Sequence, residues 1–217
     1  MFTRRRLLAA SGAALSLTAL PFTADAAAVA GKDYLLVRPA VPMAGKPVII
    51  HDFFAYTCPH CLTFAPVLEE FVASLPKDGS VKVIPAPVAW NSTYEIFPRT
   101  YFAFEALGKL PELHMPFWEW VIKAEHDWKS TEDMSADVTK WVTGHGIGEA
   151  AWKRTLAGFS VVAKSRQASA LWQSYGVDST PSVGVAGKYL TAPHLAGTRR
   201  RTIDVLRELI ELAKQSA

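Results

Sequence analysis

The chain reads as an α/β protein, a small sheet domain interrupted by a helical block. Three observations predict this. Residues 46–88 carry a strand–helix–strand pattern. From about Trp90 to Tyr175 the hydrophobic period is that of helices, with no strand signal. A strand–strand–helix pattern then closes the chain. The predicted units are a leader over 1–26, a discontinuous sheet domain over 27–90 and 176–217, and a helical insertion over 91–175.

The leader is set aside first. Arg4, Arg5 and Arg6 precede an apolar run from Leu7 to Phe22, and Ala24 and Ala26 then form an A-x-A cleavage pattern. The run falls short of the roughly 20 residues that span a bilayer. Export is therefore expected, with the mature chain beginning near Ala27. Thr3-Arg4-Arg5 before the leucines also matches loosely a twin-arginine export signal.

"KPVIIHDFFAY" (46–56) is apolar nearly throughout, with β-branched and aromatic residues, as in a strand covered on both faces. Leu62, Phe64, Ala65, Leu68, Phe71 and Val72 then recur at helical spacing. "VKVIPAPV" (81–88) reads as a second strand, ending where its prolines remove ladder donors. This unit points to parallel pairing through a helical crossover.

In the middle third, Met134, Val138, Trp141 and Val142 share one face of a helix opened by "STED" and closed at Gly144. Trp152 and Leu156 mark a shorter helix. Val161, Ser165, Ala168, Leu171, Trp172 and Tyr175 mark a longer one that ends at Gly176. "PSVGV" and "KYLT" flank the turn "AGK" as a hairpin, and "RRTIDVLRELIELAKQ" is an amphipathic C-terminal helix.

Half of the residues are hydrophobic and a fifth charged, which excludes disorder as the overall state. Removing the leader takes away three Arg and Asp25, so the net charge falls from +3 to +1. Nucleic-acid binding thereby loses its compositional support. The seven tryptophans suit core and interdomain packing better than a ligand cage.

The only two cysteines, Cys58 and Cys61, stand in "TCPHC". As a structural staple they would close a tiny loop, worth on the order of 2 kcal/mol against about 5 for a long one. As a metal clip they lack a second ligand pair, and none of the six histidines has ligand spacing. No metal is expected. Leu62 after Cys61 excludes haem attachment. As a reagent the pair is well placed. Cys58 falls where a strand gives way to a helix, with Pro59 at the first helical position. Free N–H groups and the helix dipole there favour a thiolate. Cys61, three residues on, shares the same helical face within bridging reach.

These residues resemble the DsbA family of thiol–disulfide oxidoreductases, periplasmic proteins of thioredoxin-like fold with an inserted all-helical domain. The resemblance rests on "DFFAYTCPHC", on "VDSTPSVGV" far downstream, and on the helical block between them. It spans essentially the whole mature chain. It implies that Cys58 is the exposed nucleophile and Cys61 the buried resolving cysteine, the two forming a redox-active disulfide. It implies that Pro181 is a cis-proline facing that disulfide, with Thr180 offering backbone hydrogen bonds to a bound peptide. Asp52 stands where the family has a buried acid, usually Glu, and Lys82 is a candidate charge partner for it. A strand-end carboxylate half in water is the alternative for Asp52.

His60 is the residue expected to set the oxidising character. General reference values for the Cys pKa, about 3.5 in DsbA and about 7 in thioredoxin, differ by about 5 kcal/mol. A helix dipole supplies about 2 kcal/mol at most and is common to both. An imidazole beside the sulfur stabilises the thiolate and hence the reduced form. The resemblance further implies a monomer that oxidises unfolded exported proteins, needs no bound cofactor, and is re-oxidised by a DsbB-like quinone-linked membrane partner. Phe53, Phe54, Tyr56 and Phe64 are candidates for an apolar surface offered to unfolded chains, although most suit the core.

A disulfide isomerase is the nearest rival, but the thirty or so residues between the expected cleavage site and Cys58 leave no room for a dimerisation domain. A cytochrome-maturation reductase usually carries acidic or bulky residues in place of Pro-His. From another class, a peptide-binding holdase would use an aromatic groove without redox turnover.

Overall fold

The structure, a computed structural model, describes residues 27–216. The predicted leader lies outside the described residues. Five strands form one sheet: β1 (Tyr34–Leu36), β2 (Val48–Phe54), β3 (Val81–Pro87), β4 (Ser182–Val185) and β5 (Tyr189–Thr191), in the order β1-β5-β4-β2-β3. β2 pairs parallel with β3 through the crossover helix α1 (Pro59–Ser74), and the other pairings are antiparallel.

β2 is an interior strand, between β4 and β3, and is covered on both faces, as its apolar run requires. Val48 and Ile50 pack with Phe64, Leu68 and Phe71 of α1 and with Ile203, Leu206 and Leu209 of the C-terminal helix α8 (Arg199–Gln215). Phe53 points the other way, into a cluster with Ala86, Val88, Tyr175 and Leu190. Phe53, Phe54, Tyr56 and Phe64 are all core residues, so the apolar surface considered for them does not exist.

β3 runs through both of its prolines, where the sequence suggests a stop. It is an edge strand, and the alternation of its backbone explains the tolerance. Val88 N–H bonds to Phe54 O at 2.7 Å, so even-numbered amides face β2. The donors missing at Pro85 and Pro87 fall on the open edge, where no ladder needs them.

Between β3 and β4 lie five helices: α2 (Ile96–Ala106), α3 (Leu110–Lys123), α4 (Thr131–Gly144), α5 (Glu149–Leu156) and α6 (Phe159–Ser174). Their core is aromatic, built on Phe97, Phe104, Phe117, Trp118 and Trp152. The "STED" start is a working cap: the Asp133 N–H donates to Ser130 Oγ at 3.0 Å. The tryptophans divide. Trp118 and Trp152 are buried, whereas Trp90 is 40 % exposed and meets Trp172 edge-to-face at 5.3 Å.

The β4–β5 hairpin turns through Ala186 and Gly187, both at positive φ (51° and 71°), with Lys188 N–H bonded to Val185 O. This is the primed turn that suits strand twist. Gly184 of β4 lies flat against the Tyr175 ring, where a Cβ would collide. β1, with three residues, and α7 (Pro193–Ala196), with four, are too short to show a period and were not expected.

Candidate active site

After Phe54 the chain leaves the sheet through a turn closed by Cys58 N–H to Ala55 O at 3.0 Å. Cys58 is the N-cap of α1 in extended conformation, and Pro59 occupies the first helical position. The Cys61 N–H donates to Cys58 Sγ at 3.1 Å, so the sulfur takes the place of a capping oxygen. No acidic residue stands in the first turn to oppose negative charge there. Both cysteines are free thiols, Cys58 half-buried and Cys61 buried against the aromatic cluster that holds Phe54 and Tyr56.

The distant motif meets this helix end. The Thr180–Pro181 peptide is cis, and the Cys58 thiol donates to Thr180 O at 3.3 Å. Pro181 is buried, and the loop before it is braced by Ser182 Oγ–H donating to Ser179 O at 2.8 Å. Cys58, Thr180 and Pro181 thus converge from segments about 120 residues apart.

The two sulfurs differ electrostatically. Hydrogen bonding from the Cys61 thiol lowers the Cys58 pKa to about 6, aided by the Thr180 side chain and the Cys61 amide and opposed by burial. The charge of His60 adds the smallest part. The Thr180 carbonyl can only accept, so it favours the thiol, and the thiolate relies on these donors. Burial drives the Cys61 pKa far up, reinforced by Cys58. His60 itself is exposed, with its carbonyl held by Thr63 Oγ1–H at 3.0 Å. Sequence reasoning gave His60 the leading part; the structure gives it to the helix-end hydrogen bonds.

Asp52 lies on the β2 face that carries Val48, Ile50 and Phe54, and burial raises its pKa to about 7. Burial raises the pKa of the nearby Tyr101 hydroxyl, with smaller contributions from Glu105 and Asp52. Lys82 does not meet it. Strand register sets Lys82 beside Ile49 and Pro85 beside Asp52, an odd offset that puts the lysine on the opposite sheet face. Lys82 is exposed. The candidate pair is therefore corrected: Asp52 is a desolvated acid whose strand neighbour is a proline.

Among the described residues no cluster of three metal-ligating side chains forms, and no helix is long and apolar enough to cross a membrane.

A family model described as Thioredoxin matches residues 44–205. The thiol:disulfide interchange protein DsbA of Bordetella pertussis is 32 % identical over 197 residues, covering 90 % of this chain and 89 % of its own. That of Azotobacter vinelandii is 29 % identical over 214 residues, covering 96 % and 97 %. The chain belongs to the DsbA family. The crystal structure of Pseudomonas aeruginosa DsbA superposes with a TM-score of 0.74 at 24 % identity, covering 87 % of this chain and 96 % of that one, a likeness of fold. The DsbA-type fold accounts for the architecture seen here, a thioredoxin fold with an inserted helical domain. One contact beside the DsbA-type site had no sequence signal: Tyr56 of the CPHC turn is bonded to His114 of α3, 58 residues away.

Proposed function

We propose that the chain is a dithiol oxidase that donates the Cys58–Cys61 disulfide to proteins newly exported to the periplasm. The observation that carries this reading is the asymmetry of the pair. Cys58 is reachable and held low in pKa, while Cys61 is buried and held high. A low-pKa sulfur is a good leaving group, so the pair favours giving its disulfide away.

The cycle begins with the oxidised protein. A substrate thiolate attacks Cys58 Sγ, the Cys58–Cys61 bond breaks, and Cys61 leaves and takes up a proton. A second substrate thiolate attacks the substrate sulfur of the mixed disulfide, expelling the Cys58 thiolate. The substrate has lost two electrons and gained a disulfide, and the protein holds both electrons as a dithiol. Thr180 supplies backbone hydrogen bonds to the substrate segment beside Pro181. Asp52, with a pKa near neutrality, suits the handling of the Cys61 proton. His60 and Pro59 shape the helix end around the thiolate. The two electrons then pass to a DsbB-like quinone-linked membrane partner. The protein acts as a monomer, exported under a cleaved leader, and binds no cofactor for this chemistry.

Mixing the oxidised protein with a reduced two-cysteine peptide tests the reading. Stoichiometric peptide oxidation is expected, and Cys61→Ala, which cannot form the Cys58–Cys61 disulfide, should leave the peptide reduced. Peptide binding without oxidation would instead identify a holdase, and it would then survive Cys58→Ala.

A further inference from the structure

The turn that delivers Cys58 is made by four residues, Ala55 to Cys58, and its two central residues are treated differently. Thr57 is exposed and Tyr56 is 1 % exposed. Tyr56 is therefore the turn's anchor in the core. Its ring stands edge-to-face on Phe117 at 4.8 Å and on Phe54 at 5.5 Å, and its hydroxyl lies 2.7 Å from His114 Nδ1. His114 sits on α3, so this bond joins the redox turn to the helical insertion.

The direction of the bond follows from the surroundings. Burial pushes the Tyr56 hydroxyl well above its ordinary pKa, so it is a phenol with a proton to donate. Burial likewise lowers the His114 pKa to about 4, leaving a neutral ring. The phenol O–H donates, Nδ1 accepts, and the ring proton resides on Nε2. A phenylalanine at 56 would fill the same apolar volume with no polar group to satisfy. Packing alone is non-directional and lets a turn slide by fractions of an ångström; a short buried hydrogen bond does not.

We propose that the Tyr56–His114 hydrogen bond is a positioning device of the redox site, fixing the Cys58 turn so that its sulfur stays aligned with Thr180 and with the donors at the start of α1. His114 is thus a positioning residue that acts through Tyr56. The inference rests on the proposed function, because it assigns a purpose to the placement of the Cys58 sulfur. The alignment needs such a device. The Thr180 loop and the Cys58 turn come from segments about 120 residues apart, and they meet through Thr180, whose carbonyl lies 3.3 Å from the Cys58 sulfur and whose side chain bonds to the same atom.

The test is a thiolate titration of Cys58 by ultraviolet absorbance, with the reduction potential and melting midpoint measured on the same samples. The variants are Tyr56→Phe, His114→Leu, His114→Asn and the Tyr56→Phe/His114→Leu double. Tyr56→Phe keeps the ring and the packing, so it serves if His114→Leu does not fold. Both deletions should weaken thiolate formation about threefold to tenfold, a rise of about 0.5 to 1 in the Cys58 pKa, and make the protein less oxidising. His114→Asn, which offers an acceptor oxygen near the place of Nδ1, should restore the wild-type titration. The double variant should be no worse than either single. A low-pKa wild-type thiol with unchanged titration and potential in both deletions, whatever the melting midpoints do, overturns the inference alone. A wild type without a low-pKa thiol overturns the proposed function and this inference together.

Discussion

The sulfur of Cys58 lies 3.3 Å from the carbonyl oxygen of Thr180, a residue 122 positions further along the chain. The reactive thiol therefore faces the one backbone segment that ends in the cis Thr180–Pro181 peptide. In the proposed cycle an incoming cysteine would bring its own backbone beside Thr180.

Reduced protein should melt at a higher temperature than oxidised protein at neutral pH. The Cys58 pKa falls from an ordinary 9.0 to about 6 in the folded dithiol. A depressed acid stabilises the fold fully above its unfolded pKa and loses that contribution as pH falls through the folded one. Between pH 9 and pH 6 the stabilisation should thus decline, reaching zero below about pH 6. At pH 7 it is about 1 kcal/mol once solvent screening of a half-exposed sulfur is allowed for. Calorimetry of both redox forms from pH 5 to 8 checks this; a melting gap that does not shrink with acid would contradict it.

His60→Ser should raise the Cys58 pKa by less than one unit. The imidazole is exposed, and its charge is the smallest of the influences on the sulfur, behind the Cys61 and Thr180 hydrogen bonds. An ultraviolet thiolate titration decides between this modest shift and the larger one expected if His60 sets the oxidising character.

Asp52→Asn should stabilise the protein at pH 8 by about 1 to 3 kcal/mol while slowing disulfide exchange. A carboxyl raised from 3.8 to about 7 binds its proton more tightly folded than unfolded. Wild-type stability therefore erodes as pH rises from about 4 to 7, and the amide escapes that loss. Below pH 4 the two proteins should unfold at the same denaturant concentration. Unfolding curves across this range, with exchange rates beside them, separate the proton-handling part of Asp52 from its cost to the fold.

Gly184→Ala should cost about 1 to 3 kcal/mol by overpacking, because the new methyl meets the Tyr175 ring. His51 Nδ1 and the Gly187 N–H both bond to the Tyr175 hydroxyl, at 3.2 and 2.8 Å, so a displaced ring disturbs the hairpin. Cys58 borders the cluster that holds Tyr175 but takes its hydrogen bonds from Cys61 and Thr180, so the reduction potential should stay unchanged. A shifted potential would show that the β4 face and the redox site are coupled.

Much of this was legible in the sequence because local chemistry determined it. Pro59 after Cys58 marked the helix start, Ser130 before Glu132-Asp133 marked a cap, and Ala186-Gly187 marked the hairpin turn. The approach of Thr180 to Cys58 is not local, and it was legible only through likeness to a known family. The parity of β2 against β3 leaves no trace that spacing can show, so the sequence leaves Lys82 a candidate partner for Asp52, whereas register puts it on the opposite sheet face. Pro85 and Pro87 misled for the same reason: whether a proline breaks a strand depends on which side of it lies open. His114 had no signal at all, since an isolated histidine in an aromatic helix gives no hint of a tyrosine 58 residues earlier.

The reduction potential of Cys58–Cys61 tests the central claim most directly, with the mature protein equilibrated against glutathione and its free thiols counted. The account predicts an oxidising value, roughly −120 to −150 mV. A value of about −250 mV or lower would make the protein a reductase and contradict it.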